Sequence, residues 1–155
     1  GGQALAEAMK AKSSMTAINL QDNRIGKEGA QALAEALKVN SSVTMINLRD
    51  TGLGPIGAQA LCEALKVNFS VTTIDLGDCY NTGPEKAQAL AEALKLNSSV
   101  TTIRVSKDCF ENEGAQALAE ALKVNSSVTM LDLEYNLIGP KGAQASTSVT
   151  PVSDL

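Results

Sequence analysis

One phrase, Gln-Ala-Leu, returns along this chain at a fixed interval, and few sequence features restrict a fold more tightly. The alanines that mark it are Ala4, Ala32, Ala60, Ala89, Ala117 and Ala145, spaced 28, 28, 29, 28 and 28 residues apart. The last copy keeps only Gln-Ala before it departs. A period of this length is too short for a domain and long enough for one helix and one strand, so the copies must stack as a solenoid.

The stretch from Gly29 to Asp50 serves as the type unit, and its hydrophobic period changes partway. Ala30, Leu33, Ala34 and Leu37 follow the i, i+3, i+4, i+7 spacing of a buried helix face, with Gln31, Glu35 and Lys38 toward solvent. Gly29 and Asn40 bracket the expected helix. After it the pattern alternates: Val43, Ile46 and Leu48 point one way and Thr44, Met45, Asn47 and Arg49 the other, as in a short half-buried strand. Strands pair about 4.8 Å apart and helices are about 10 Å across, so the stack is expected to curve with its strands on the inner, concave wall. Small residues such as Ala32, Ala36, Ala60 and Ala64 let neighbouring helices approach.

Read in order, the apolar positions are Met15-Ile18-Leu20-Asn23-Ile25, Val43-Ile46-Leu48-Thr51-Leu53, Val71-Ile74-Leu76-Cys79, Val100-Ile103-Val105-Asp108-Phe110 and Val128-Leu131-Leu133-Asn136-Ile138. They fit the pattern L-x-x-L-x-L-x-x-N/C-x-L. With its 28-residue period and Ala-rich helix, the chain resembles the ribonuclease-inhibitor-like subclass of leucine-rich repeats. The resemblance implies an α/β horseshoe with a parallel sheet inside and helices outside. It spans residues 1–145 in about five repeats with an uncapped N-terminal face, and leaves 146–155 as a degenerate last repeat or tail. The near-identical Ala-Gln-Ala-Leu-Ala-Glu-Ala-Leu units look most like the sensor region of NLR-type immune receptors. Ran GTPase-activating protein and secreted pathogen effectors are the other functions the resemblance brings in.

A net charge of −4 argues against nucleic acid, which asks for a clustered basic face. No apolar run is long enough for a membrane span. Three cysteines, an odd number, suit a reducing compartment and point to a cytoplasmic protein. Cys62 reads as small buried packing; Cys79, in the Asn/Cys position, and Cys109, one position later in the next unit, are not expected to pair. Asn40, Asn68, Asn97 and Asn125 each head an Asn-x-Ser sequence once per unit. They read as a repeated turn residue rather than as glycosylation sites.

Three places depart from the unit. An extra residue within 79–83 makes the 29-residue interval and displaces the apolar anchor, leaving Tyr80 to replace it or project from the rim. The next turn reads Lys107-Asp108-Cys109-Phe110-Glu111 where Asp-Asn-x-Ile-Gly would be regular. Together they form one irregular rim patch, with Tyr80 and Phe110 as its candidate contacts. After Gly142 the helix is expected to fail, with Ser148-Val149-Thr150 as a frayed strand or a tail.

Histidine is absent, which removes the commonest general base and every Ser-His or Cys-His nucleophile pair. No phosphate loop, HExxH or CxxC appears. The chain therefore reads as no enzyme, without cofactor or metal. Asp75 and Asp78 on an open wall have no cause for a raised pKa, and a GTPase-activating role would have to rest on Arg24, alone among the arginines in a turn.

What remains is recognition by the strand face. Its columns read Thr16, Thr44, Thr72, Thr101, Thr129; Ala17, Met45, Thr73, Thr102, Met130; Asn19, Asn47, Asp75, Arg104, Asp132; Gln21, Arg49, Gly77, Ser106, Glu134; and Asp22, Asp50, Asp78, Lys107, Tyr135. The uniform first column is scaffold, and the last three differ from unit to unit. The expected contacts to a protein partner are Met45, Arg49, Asp50, Asp75, Asp78, Arg104, Lys107, Asp132, Glu134 and Tyr135. Self-association through the uncapped ends is a second expectation.

Overall fold

The computed structural model describes residues 1–12, 14–77 and 82–147. Helix and strand alternate throughout: α1 (Gly2–Ala11), β1 (Ala17–Asn19), α2 (Gly26–Leu37), β2 (Met45–Asn47), α3 (Gly54–Leu65), β3 (Thr73–Asp75), α4 (Gly83–Leu94), β4 (Thr102–Arg104), α5 (Glu111–Val124), β5 (Met130–Asp132) and α6 (Pro140–Thr147). The strands form one parallel sheet in the order β1-β2-β3-β4-β5. Each residue pairs with its counterpart one repeat on, so Ile18, Ile46, Ile74, Ile103 and Leu131 share a row.

The first strand is only three residues long, yet its ladder reaches further. Thr44 N–H donates to the Thr16 carbonyl at 2.8 Å and Leu20 N–H to the Asn47 carbonyl at 2.9 Å, on either side of the strand proper. The helix expected between Gly29 and Asn40 starts earlier, at Gly26. Gly26 has φ +68°, a conformation open to glycine at little cost, so the chain turns into α2 directly after Ile25.

Val43, Ile46, Leu48 and Leu53 meet Leu33, Ala34 and Leu37 in a continuous apolar layer that repeats from unit to unit. Close helix approach fixes one further position. A Cβ on Gly57 would lie 2.8 Å from Ala30 Cβ, and one on Gly114 would lie 2.8 Å from both Ala87 Cβ and Phe110 Cβ. Glycine at this point lets each helix rest on its predecessor and on its own apolar anchor. Helix α4 carries Lys86 there instead.

The far edge of each unit is held by its Asn. Asn68 Nδ2 donates to the carbonyls of Leu37 and Asn40, Asn97 Nδ2 to those of Leu65 and Asn68, and Asn125 Nδ2 to those of Leu94 and Asn97. Their Oδ1 atoms accept the N–H groups of Val71, Val100 and Val128 at 2.9 Å. One amide thus closes the end of the preceding helix and starts the next strand. Ser70 and Ser99 add Oγ donations to the Val43 and Val71 carbonyls, which accounts for the serine two residues on. A glycan on Nδ2 is incompatible with this geometry.

The last helix does not fail where expected: α6 runs on to Thr147. Its first turn is anchored from outside, because Asn112 Oδ1 accepts the N–H groups of Gly139 and Gly142 at 3.0 Å each. The suggested strand at 148–150 lies outside the described residues.

Candidate functional site

The strand register sets two of the expected columns side by side as the spacing implied. Ala17, Met45, Thr73, Thr102 and Met130 are partners in one row, and Asn19, Asn47, Asp75, Arg104 and Asp132 in another.

Two columns belong to the scaffold. Thr44, Thr72, Thr101 and Thr129 each donate Oγ1 to the carbonyl of the preceding threonine, at 3.1 to 3.3 Å. In the Asn/Asp column the side-chain oxygen accepts the N–H two residues on: Asn19 from Gln21, Asn47 from Arg49, Asp75 from Gly77 and Asp132 from Glu134, at 3.0 to 3.1 Å. Such a bond stabilises the turn leaving the strand. Asp75, expected as a contact, is accordingly buried, with Oδ1 on the Gly77 amide. Arg104 has no acceptor to offer, so the fourth unit lacks this bond. It sits between Asp75 and Asp132 in register.

The last column is set by backbone conformation. Asp22, Asp50, Lys107 and Tyr135 have φ between +55° and +59°. This left-handed region suits Asp and costs Lys or Tyr more, so their presence there is not explained by the turn itself. Of the expected contacts, Met45, Met130 and Tyr135 are well exposed; Glu134 and Lys107 are exposed, and Arg49, Asp50, Arg104 and Asp132 half-buried. Between Arg49 and Glu134 the wall dips. Gly77 and Ser106 are buried, and a Cβ on Gly77 would lie 2.9 Å from Ser106 Oγ.

The rim patch resolves differently from the expectation. Phe110 is fully buried because it is the apolar anchor of its unit, standing where Ile25, Leu53 and Ile138 stand and capping α5 at its start. Tyr80, Asp78 and Cys79 lie outside the described residues. The exposed part of this turn is Lys107, Cys109 and Glu111, all at φ between +54° and +58°.

Beneath it lies an arrangement the sequence reading missed. In the last seam, Asn136 Nδ2 donates to the Val105 carbonyl of the preceding unit at 2.7 Å, and its Oδ1 accepts the Asp108 N–H at 3.0 Å. One seam earlier the equivalent residue is Asp108, whose carboxylate can accept but not donate. The missing donor comes from Lys86. Its ammonium donates to the Leu76 carbonyl and to Asp108 Oδ2 at 2.9 Å, both side chains being wholly buried. Thr82 Oγ1 donates to Asp108 Oδ1 at 3.3 Å. Thr82 also stands where other units have their bulky anchor, and its small side chain leaves room for the lysine stem. Three departures in two units thus restore what Asn136 does one seam later. The signal was available in the sequence: Lys for Gly, Thr for an aliphatic anchor, and Asp for Asn.

Three stretches, residues 11–34, 39–62 and 124–145, match the family model described as Leucine Rich repeat. No curated protein matches the chain. Among solved structures it is similar to leiomodin-1 actin-binding site 2, at 22% identity and TM-score 0.81 over 93% of this chain and 84% of that one. It is also similar to the tropomodulin C-terminal domain of Caenorhabditis elegans, at 14% identity and TM-score 0.81 over 96% of this chain and 90% of that one. At these identities the shared property is the fold. The chain thus folds as an open solenoid in which each unit contributes one parallel strand and one helix, the architecture of leucine-rich repeats.

Proposed function

We propose that this chain is a non-enzymatic scaffold for protein recognition and that its partner lies on the sheet face. The observation that carries the reading is the division of labour on that face. The Thr and Asn/Asp columns are tied to the backbone, while Met45, Met130 and Tyr135 stand exposed on the rigid wall so formed. Exposed thioethers and a phenol beside half-buried arginines are the groups that anchor protein interfaces. The absence of histidine supports a role without catalysis, and the odd cysteine count supports a reducing compartment such as the cytoplasm.

Actin is the partner to test first, because one domain of the same fold is an actin-binding site. In co-sedimentation with actin filaments, the chain is expected to pellet. The combined variant Met45→Ser, Arg49→Ser, Arg104→Ser, Tyr135→Ser is expected to stay in solution with an unchanged circular dichroism spectrum. Equal pelleting of the variant would move the site off the sheet face, and no pelleting of either would exclude filamentous actin. The narrower reading, a ribonuclease-inhibitor-like sensor segment of an NLR-type receptor, is supported by the Ala-rich helices and the 28-residue period.

A further inference from the structure

On the helical side, the seam between α3 and α4 differs from its neighbours. At the point where Gly57 lets α3 rest on α2 and Gly114 lets α5 rest on α4, α4 carries Lys86. The two helices pack more loosely than either adjacent interior pair. A groove of about 600 Å³ opens between them, running along both helices from Pro55 and Pro84 to Lys66 and Glu92.

Its lining departs from the repeat in a way that folding does not require. At the position where α2 has Glu28, α4 has Glu85 and α5 has Glu113, α3 has Ile56, and this side chain is 52% exposed. Ile56, Pro55, Pro84 and Ala89 give the groove an apolar floor, while Glu63, Glu85, Glu92 and Glu113 against Lys66 alone give it a negative rim. Glu63 and Glu92 are bridged to Lys66 and Lys95. Among the described residues, no such bridge forms at Glu85 or Glu113.

We propose that this groove is a second binding face, distinct from the sheet wall, and that it takes a basic amphipathic helix of a partner protein. An aliphatic side chain of that helix would sit on Ile56, and its lysines or arginines would face Glu85 and Glu113. Two parallel helices form a trough that accepts a third, and a helix laid in an apolar groove is read through one or two anchors. The sign of the rim selects a cationic partner.

The test uses a synthetic helical peptide of about 14 residues, roughly 20 Å long, with one leucine face and one lysine face. Its counterpart carries glutamate for lysine. Binding to the whole chain is measured by fluorescence anisotropy, and the expected result is saturable binding of the lysine peptide only. Ile56→Glu installs the residue type that three other helices carry, so the fold is preserved. It also adds negative charge, and should still weaken binding by about tenfold or more through loss of the anchor. Glu85→Gln with Glu113→Gln should weaken it comparably, whereas the sheet-face variant should bind as the parent does. Equal affinity of Ile56→Glu and the parent, equal binding of the two peptides, no binding at all, or loss of binding in the sheet-face variant would each overturn the proposal. The last outcome would place this ligand on the sheet face, so failure of one binding face is distinguishable from failure of the other.

Discussion

A lysine and an aspartate without solvent contact form the sharpest local feature of the chain. Taking two charges out of water is costly, and only mutual pairing with further hydrogen bonds offsets it. Here Lys86 has Asp108 and the Leu76 carbonyl, and Asp108 has Lys86 and the Thr82 hydroxyl. Lys86→Met leaves the carboxylate without its counter-charge and is expected to cost about 3–5 kcal/mol in denaturant unfolding. Adding Asp108→Asn to it should recover most of that loss, and a double-mutant cycle measures the coupling. Cys62 shows burial without pairing: desolvation pushes its thiol from 9.0 up to about 12, against the opposing field of Lys86. Above pH 9.0 the unfolded thiol loses its proton while the folded one keeps it, so the unfolded state binds fewer protons and stability falls as pH rises toward about 12. Cys62→Ala is expected to remove this component, seen as the difference between the two unfolding profiles across that range.

At the scale of elements, the strand-to-helix turn is what varies. The regular turn places glycine at Gly26 and Gly54 with φ +68° and +63°, and the fourth unit puts Glu111 there at +55°. Left-handed backbone costs a non-glycine residue about 1–2 kcal/mol, so Glu111→Gly should stabilise the chain by about 1 kcal/mol in thermal or denaturant unfolding. Lys107 and Cys109 hold the same conformation in the same turn. Asp50 and Gly52 hold it at the equivalent places of the second unit, so the geometry is that of the repeat and only the residue types differ. The period made helix, strand and column order legible, because each rests on features repeated in every unit. Turn detail was not legible. Phe110 looked like a rim residue because Asp108 and Cys109 obscured the motif around it, although its place in the apolar series made it the anchor. Asp75 looked like a contact because the column was read by side chain alone, and the turn amide that claims its carboxylate is two residues away. The lysine and aspartate escaped notice for a related reason, since each looks like drift in its own column and the compensation crosses from one unit into the next.

For the molecule as a whole, the arrangement has two faces of opposite origin. The sheet wall follows from the period itself and was expected from the columns; the groove between α3 and α4 follows from breaking the period, and an averaged unit hides it. Repeats this alike are nearly interchangeable in packing, so that a chain of them can gain or lose a copy by unequal exchange of its coding sequence and still close every seam. The pairing of Lys86 with Asp108 makes the stretch that holds them an exception. An exchange that replaced one partner and not the other would strand a buried charge, so residues 82–108 are expected to be replaceable only together.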